Sequence, residues 1–360
     1  MIQLFHSGGV ILLDLAPRRS LTTWLGLGAC LAVVAAPSIV DARPRQAPLV
    51  LVRDLPLPGE AARFDYQWVD TEHRRLYIAH LGADSLVVFD LDGQKIVGEV
   101  KGLPSVHGVV ADPEKHRLFA TVTGEKKLAI IDDRSLEVLA RIPAGEYPNG
   151  LAYDPRSEKV YVSNNSGVGI GVVDVAHKKA LSPIEIGGGA GNSQYDAGSG
   201  HIFVAVHKLA ELVEIDPATD KVVAHHPLAG VRGCHGLLMD SPRRTAFAVC
   251  DGKTLVAYAI DEKRQLDRAP VPASPDVLAL DPGLGRIYVS SGSGLVAVFE
   301  MTDARKLRAL GEQRVGPNAH TVAVDPRTHL VYFPLENVGG RPLLRLMQPR
   351  DATNGPLPGP

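Results

Sequence analysis

The chain has 360 residues, 45% hydrophobic and 22% charged, with a formal net charge of −2. It is long enough for one large domain or two ordinary ones and can bury a substantial core. No long Lys/Arg run appears, so the clustered positive charge that nucleic acid requires is missing.

The first 42 residues differ in kind from the rest. Arg18 and Arg19 precede "SLTTWLGLGACLAVVAAPSIV", and "DARPRQAP" follows. A basic start, an apolar centre and a small-x-small site ending at Ala42 form the layout of a secretory signal. The run is also nearly long enough to span a bilayer, so a retained anchor is the rival reading, and the only membrane contact foreseen. "LGAC" ending at Cys30 faintly resembles a lipoprotein site, but the apolar run continues past it. Arg18-Arg19-Ser20-Leu21 weakly resembles a twin-arginine signal. The expectation is export to the periplasm or beyond, with residues 43–48 as a linker.

From residue 49 the chain repeats itself, the first thing to test in any sequence. Asp70, Asp112, Asp154, Asp196, Asp240, Asp281 and Asp325 each follow a short apolar run, 41 to 44 residues apart. Seven residues after each lies an aromatic: Tyr77, Phe119, Tyr161, Phe203, Phe247, Tyr288 and Tyr332. A second acidic position, about twenty residues after most anchors, holds Asp90, Asp132, Asp174, Asp216, Asp261 and Glu300. Each unit carries four strand-like runs, in the second copy "GVVAD", "RLFATV", "LAIID" and "VLARIP", separated by turn residues. Four strands at a period in the low forties is the signature of propeller blades. The fold expected is therefore all-β, a seven-bladed β-propeller over residues 49–348, with the aromatics packed between blades. After Asp325 only two further strands are evident, so "LVLVRDLPL" at 49–57 is expected to complete the last blade. The Pro/Gly-rich tail 349–360 is expected to be disordered.

"KVYVSNNSGVGIGVVD" (159–174), "RIYVSSGSGLVAVFE" (286–300) and "RRLYIAHLGADSLVVFD" (74–90) resemble the YVTN family of bacterial β-propeller repeats. Tyr161-Val162-Ser163-Asn164 lies one conservative step from the strand that names that family. The resemblance covers roughly residues 49–348 and implies the fold. It carries no catalytic motif, and fold does not imply function.

In a four-stranded blade the loop entering the first strand and the loop leaving the second share one face of the disc, and the Asp-Pro turns lie on the other. Five residues before each anchor stand Asp65, His107, Asn149, Gly191, His235, Asp276 and His320, with Asn192 one place on in blade four. These predict a polar ring at the mouth of the central channel, followed in most blades by apolar residues. The ends of the second strands add His80, Asn164 and His207 as a second ring, with Asn165, Cys250 and Ser291 nearby. One such histidine alone is usually structural, but a shared register points to a site.

Three chemistries are open to the ring. His107, His235, His320, Asp65 and Asp276 are ligand types for a divalent metal, though the separation of blades two and five demands a narrow funnel. The same groups can hydrogen-bond a polar ligand directly, or face water alone. Asn149 and Asn318 sit in turn-like sequences and need no chemical role. Cys234 and Cys250 fall nearly opposite in the first hairpin of blade five, and a disulfide is expected in an oxidising compartment. The rival reading is a free thiol beside His235 as a Cys-His pair.

No Gly-rich phosphate loop, G-x-S-x-G, H-E-x-x-H or C-x-x-C-H motif is present. Two functions follow. The first is a monomeric, non-enzymatic envelope protein that presents the polar mouth to a small polar ligand or a partner protein. The second is a metal-assisted hydrolase or lyase built on the His/Asp ring.

Overall fold

The repeat is spelled out by turn chemistry before any packing is considered. In most units the anchor aspartate turns its carboxylate onto the backbone N–H groups of the turn that follows it. Asp70 accepts from Glu72 and His73 at 2.9 and 3.0 Å, and Asp154, Asp196, Asp281 and Asp325 accept from the residue two places on. This is the local bond that favours Asp in turns. Four places after each anchor the backbone enters the left-handed region: Arg74, His116, Glu158, Gly200, Arg244, Gly285 and His329 all have φ between 50° and 75°. The second acidic position works alike, with Asp132 accepting from Arg134 and Ser135, and Asp216 from Ala218. The acidic periodicity is thus hairpin-turn chemistry.

The computed structural model describes residues 47–166 and 169–352. Seven four-stranded antiparallel sheets form the seven blades of a β-propeller. Blade two is typical, with strands Val106–Asp112, Arg117–Val122, Lys127–Asp132 and Val138–Pro143 in sequential order. The export segment expected over residues 1–42, and most of the linker, lie outside the described residues.

Blades are joined by their cores. The seven periodic aromatics are at most 1% exposed. Tyr77 of blade one packs with Val109, Leu118 and Ala120 of blade two, and Phe119 of blade two packs with Tyr153, Val160 and Val162 of blade three. Each aromatic fills the gap its own sheet cannot cover.

The seventh blade draws its outermost strand from the opposite end of the described chain. Leu49–Pro56 pairs antiparallel with Arg341–Pro349, and the blade runs β1-β28-β27-β26 in chain-order numbering, where β26 is Ala323–Val324, β27 is Val331–Val338, β28 is Arg341–Pro349 and β1 is Leu49–Pro56. Arg345 grips Asp54 with two bonds of 2.8 and 2.6 Å across this seam. The last strand extends to Pro349 and a 3-10 turn continues over Arg350–Ala352, so these first residues of the expected tail are built into the seam. Residues 353–360 lie outside the described residues.

Candidate functional site

In blades two to six the ring residues owe their placement to β-bulges. In the first hairpin of blade two the register slips between Val106 and Val109, so His107 occupies the bulge. The same slip occurs between Pro148 and Leu151, Ala190 and Ser193, Cys234 and Gly236, and Pro275 and Leu278. A bulge leaves a residue without a cross-strand partner and re-aims its side chain. Here it takes Asn149, Asn192, His235 and Asp276 out of the blade and aims them at the channel mouth.

The residue after the ring position is glycine in three blades, where the sequence reading expects apolar residues. A Cβ on Gly108 would stand 2.6 Å from the Asn149 carbonyl oxygen, and one on Gly236 would stand 2.1 Å from that of Asp276. Glycine lets adjacent first strands close to this distance. Buried hydroxyls then bond between them. Thr121 accepts from Gly108 N–H at 2.7 Å and donates to the Asn149 carbonyl at 2.5 Å. Ser290 stands 2.8 Å from the Val277 carbonyl and 2.6 Å from that of His320, in the next blade.

At the mouth, Asp65, Asn149, Asn192, His207, His235 and Asp276 line one cavity of about 330 Å³, with Arg63, Tyr66 and Asn165. Its floor is Tyr66, whose hydroxyl reaches across the disc from blade one to donate to Asn192 Oδ1 of blade four. Tyr66 and Asn192 also line a separate hollow of about 460 Å³ beyond the floor, walled by first-strand residues such as Val109, Leu237 and Val277. A third hollow of about 760 Å³ shares Arg63, His235 and Asp276 with the mouth and adds His320, Asp251 and Lys253. His107 lies at the edge, its Nε2 4.0 Å from Asp65 Oδ2.

The electrostatics centre on two carboxyls. Asp65 is 5% exposed, and its pKa is pushed from 3.8 up to about 8, first by burial and next by the charge of Asp276. Arg63, 3.6 Å away, opposes this only in part. Asp276 is also raised by burial, against the pull of His320, His235 and Arg63. Burial lowers His107, helped by Arg63, while the Ser105 carbonyl pulls the other way. Burial therefore favours the protonated form of Asp65, which can donate as well as accept.

Some expected residues do not belong here. His80 is fully buried, stacked on Phe64 with ring centroids 4.0 Å apart, and burial lowers its pKa. The Pro58, Glu60 and Ala62 carbonyls surround its ring, though neither nitrogen makes a well-formed hydrogen bond. The segment before blade one covers it, so it is a core residue. Asn164 is structural too: its Oδ1 accepts from Tyr147 N–H at 3.0 Å and its Nδ2 donates to the Ala144 carbonyl at 3.1 Å, fixing the loop into blade three.

The metal set expected from sequence does not assemble as such: among the described residues, no three of His107, His235, His320, Asp65 and Asp276 form a group of ligand atoms within 4.8 Å. A different trio on this face does, His207, His235 and Asp251. Both nitrogens of His235 are turned to carbonyls, Nδ1 to Gly233 at 3.0 Å and Nε2 to Pro275 at 2.8 Å. A metal there has to displace one of them. His320 keeps Nδ1 on the Asn318 carbonyl at 3.0 Å while its buried Nε2 has no partner.

Cys234 and Cys250 are direct partners in register, with sulfurs 2.00 Å apart in a disulfide, next to the bulge that carries His235. Arg63, Tyr66, Asp251 and Lys253 were not foreseen. Arg63 and Tyr66 lie two before and one after Asp65, and Asp251 one after Cys250, so all but Lys253 were adjacent to the positions already singled out.

No protein-family model and no curated protein matches the chain. Solved structures do. The chain is similar to Kuenenia stuttgartiensis hydrazine synthase, at 15% identity and TM-score 0.66, covering 80% of this chain and 96% of that one. It is similar to the RRP9 WD40 repeats, at 10% identity and TM-score 0.70, covering 83% and 100%. A structure of U3-55K is similar at 10% identity and TM-score 0.68, covering 81% and 98%. At these identities the likeness establishes the β-propeller fold.

Proposed function

We propose that this protein is an exported envelope β-propeller that binds a small polar ligand at the mouth of its central channel, without catalysis. The observation that carries the reading is the polar cavity of about 330 Å³, to which five blades contribute bulged or loop side chains over the Tyr66 floor. Its size suits a small molecule better than a protein segment. Its mix of a guanidinium, carboxyls, amides and imidazoles offers donors and acceptors in fixed positions. The layout of residues 18–42 and the paired cysteines support export. The YVTN-like repeats agree with an envelope role.

The test is recovery of bound small molecules from the full chain purified without a tag, by mass spectrometry of the denatured extract. An Asn192→Ala/Asp276→Ala variant is the control. A compound released by the wild type and missing from the variant supports the reading. A wild type that releases nothing, and whose melting temperature no polar compound in a broad panel raises, overturns it.

The His207–His235–Asp251 trio favours one second reading, a metal-assisted hydrolase or lyase at the same mouth. It requires loss of turnover on chelation and on His207→Ala.

A further inference from the structure

On the Asp-Pro-turn face, opposite the mouth, two blade junctions are clamped by arginine. Arg74 donates to Asp325 of blade seven at 2.8 and 2.6 Å and to Asp92 of its own blade at 3.1 Å. Arg244 bonds Asp196 of blade four and reaches Asp261 at 3.0–3.3 Å. Both arginines stand four places after their anchor, and both neutralise a buried carboxylate of the preceding blade. Such a carboxylate needs a partner charge to stay ionised.

Between blades one and two that place holds His116. The carboxylates around it are Asp70 and Asp133, whose side chains are 0% and 4% exposed. His73 Nδ1 lies 3.1 Å from Asp70 Oδ2 and 3.4 Å from Asp133 Oδ2, and His116 Nδ1 lies 3.1 Å from Asp133 Oδ1. The two imidazoles stack at 4.7 Å, each sending Nδ1 to the same carboxylate. One ligand atom from each of His73, His116 and Asp133 falls within 4.8 Å of the others. Tetrahedral ligands about 2.0–2.1 Å from zinc stand about 3.3 Å apart, and the imidazole–carboxylate distances here are 3.1 and 3.4 Å.

We propose that this junction binds a divalent cation of the zinc class through His73, His116 and Asp133, with Asp70 beside His73 as a neighbouring negative charge. The two carboxylates, Asp133 and Asp70, balance the double charge, where the two arginine junctions hold a single guanidinium charge. Asp70 is already oriented, since its Oδ1 is held by the Glu72 and His73 N–H groups. On binding, each imidazole gives up its Nδ1 proton or carries it at Nε2, and the metal takes the Nδ1 lone pair. His116 Nε2 now faces the Arg134 guanidinium, an exposed side chain that must turn away.

Zinc is titrated into the tag-free full chain against a chromophoric chelator, and cobalt substitution reports geometry. The wild type should take one equivalent at this junction and give the intense visible band of tetrahedral cobalt. His73→Gln/His116→Gln should lose affinity by more than about 100-fold. Asp133→Asn, the backup should the double variant not fold, should also weaken it. Arg134→Ala should bind several-fold tighter. His207→Ala/His235→Ala should keep the ion, which separates this site from the channel mouth. A wild type that binds no zinc, or an ion lost only with the mouth histidines, overturns the proposal.

Discussion

Replacing Asp65 with Asn should stabilise the protein, and by an amount that grows with pH. The carboxyl is buried and its pKa is about 8 in the folded chain against 3.8 without the fold. Between these values the folded state holds a proton that the unfolded state has released. Stability therefore falls as pH rises through this window, and the whole loss is present above the folded value. Each pKa step is worth about 1.4 kcal/mol, so Asp65 costs about 2 kcal/mol near pH 5, about 5 kcal/mol at pH 8 and about 6 kcal/mol well above it, as an upper bound. A carboxamide has nearly the shape of the protonated acid and never ionises. Urea unfolding of wild type and Asp65→Asn from about pH 4 to pH 9 should give curves that nearly meet at the acid end and separate steadily above it. Asp276, raised for the same reason, leaves a residual slope in the variant. Parallel pH profiles, or an Asn variant less stable at high pH, would refute the picture of two carboxyls held against ionisation by burial.

Further outcomes follow from the framework. Gly236→Ala places a methyl 2.1 Å from a backbone oxygen of the next blade and should cost about 1–3 kcal/mol, read as a drop in melting temperature; an unchanged melting temperature would mean the inner strands are looser than described. Cys234→Ser/Cys250→Ser opens a link spanning 16 residues and should cost about 3 kcal/mol, while intact mass of the non-reduced wild type should show no free thiol at either position. Deleting residues 49–56 strips the outer strand from blade seven, and hydrogen exchange should then rise across Arg341–Pro349 well before it rises in blade three.

The fold was legible because three chemical periodicities coincide. The anchor aspartates mark turns through side-chain bonds to their own backbone, the aromatics mark inter-blade packing, and the spacing fixes four strands per unit. Each is local and survives substitution within its class. Even the seam could be foreseen, because a missing strand in a closed ring must be supplied from somewhere. The site was legible in register but not in direction. His107 and His235 stand where the repeat places them, yet His80 and Asn164, chosen as second-strand ends on the same face, serve the core and a loop. Which way a second-strand terminus points depends on whether the preceding segment covers it, as Phe64 covers His80. Likewise Gly108 and Gly236 look like ordinary strand glycines until the neighbouring blade's carbonyl is in view. The His73–His116 pair was hidden for another reason: the repeat explains the place of His116 as a turn residue, and only the contrast with Arg74 and Arg244 makes it unusual.

The bulges explain how such a disc can acquire a site at all. A residue in regular pairing on an inner strand faces a neighbouring blade, and changing it disturbs the core. A residue on the bulge has no cross-strand partner, so its side chain is freed from the regular pairing while the glycine or hydroxyl beside it holds adjacent strands together. Thr121 illustrates the division of labour. It ties Gly108 to the Asn149 carbonyl without involving either the His107 or the Asn149 side chain in the contact. The bulged positions can therefore vary from blade to blade, as histidine, asparagine and aspartate do here, at little cost to the blades. Five such bulges, in blades two to six, present side chains of differing chemistry on a scaffold whose stability is secured elsewhere. Asp65, on the loop entering blade one, has its pKa raised by burial and by the charge of Asp276, the kind of perturbation that clusters at functional sites.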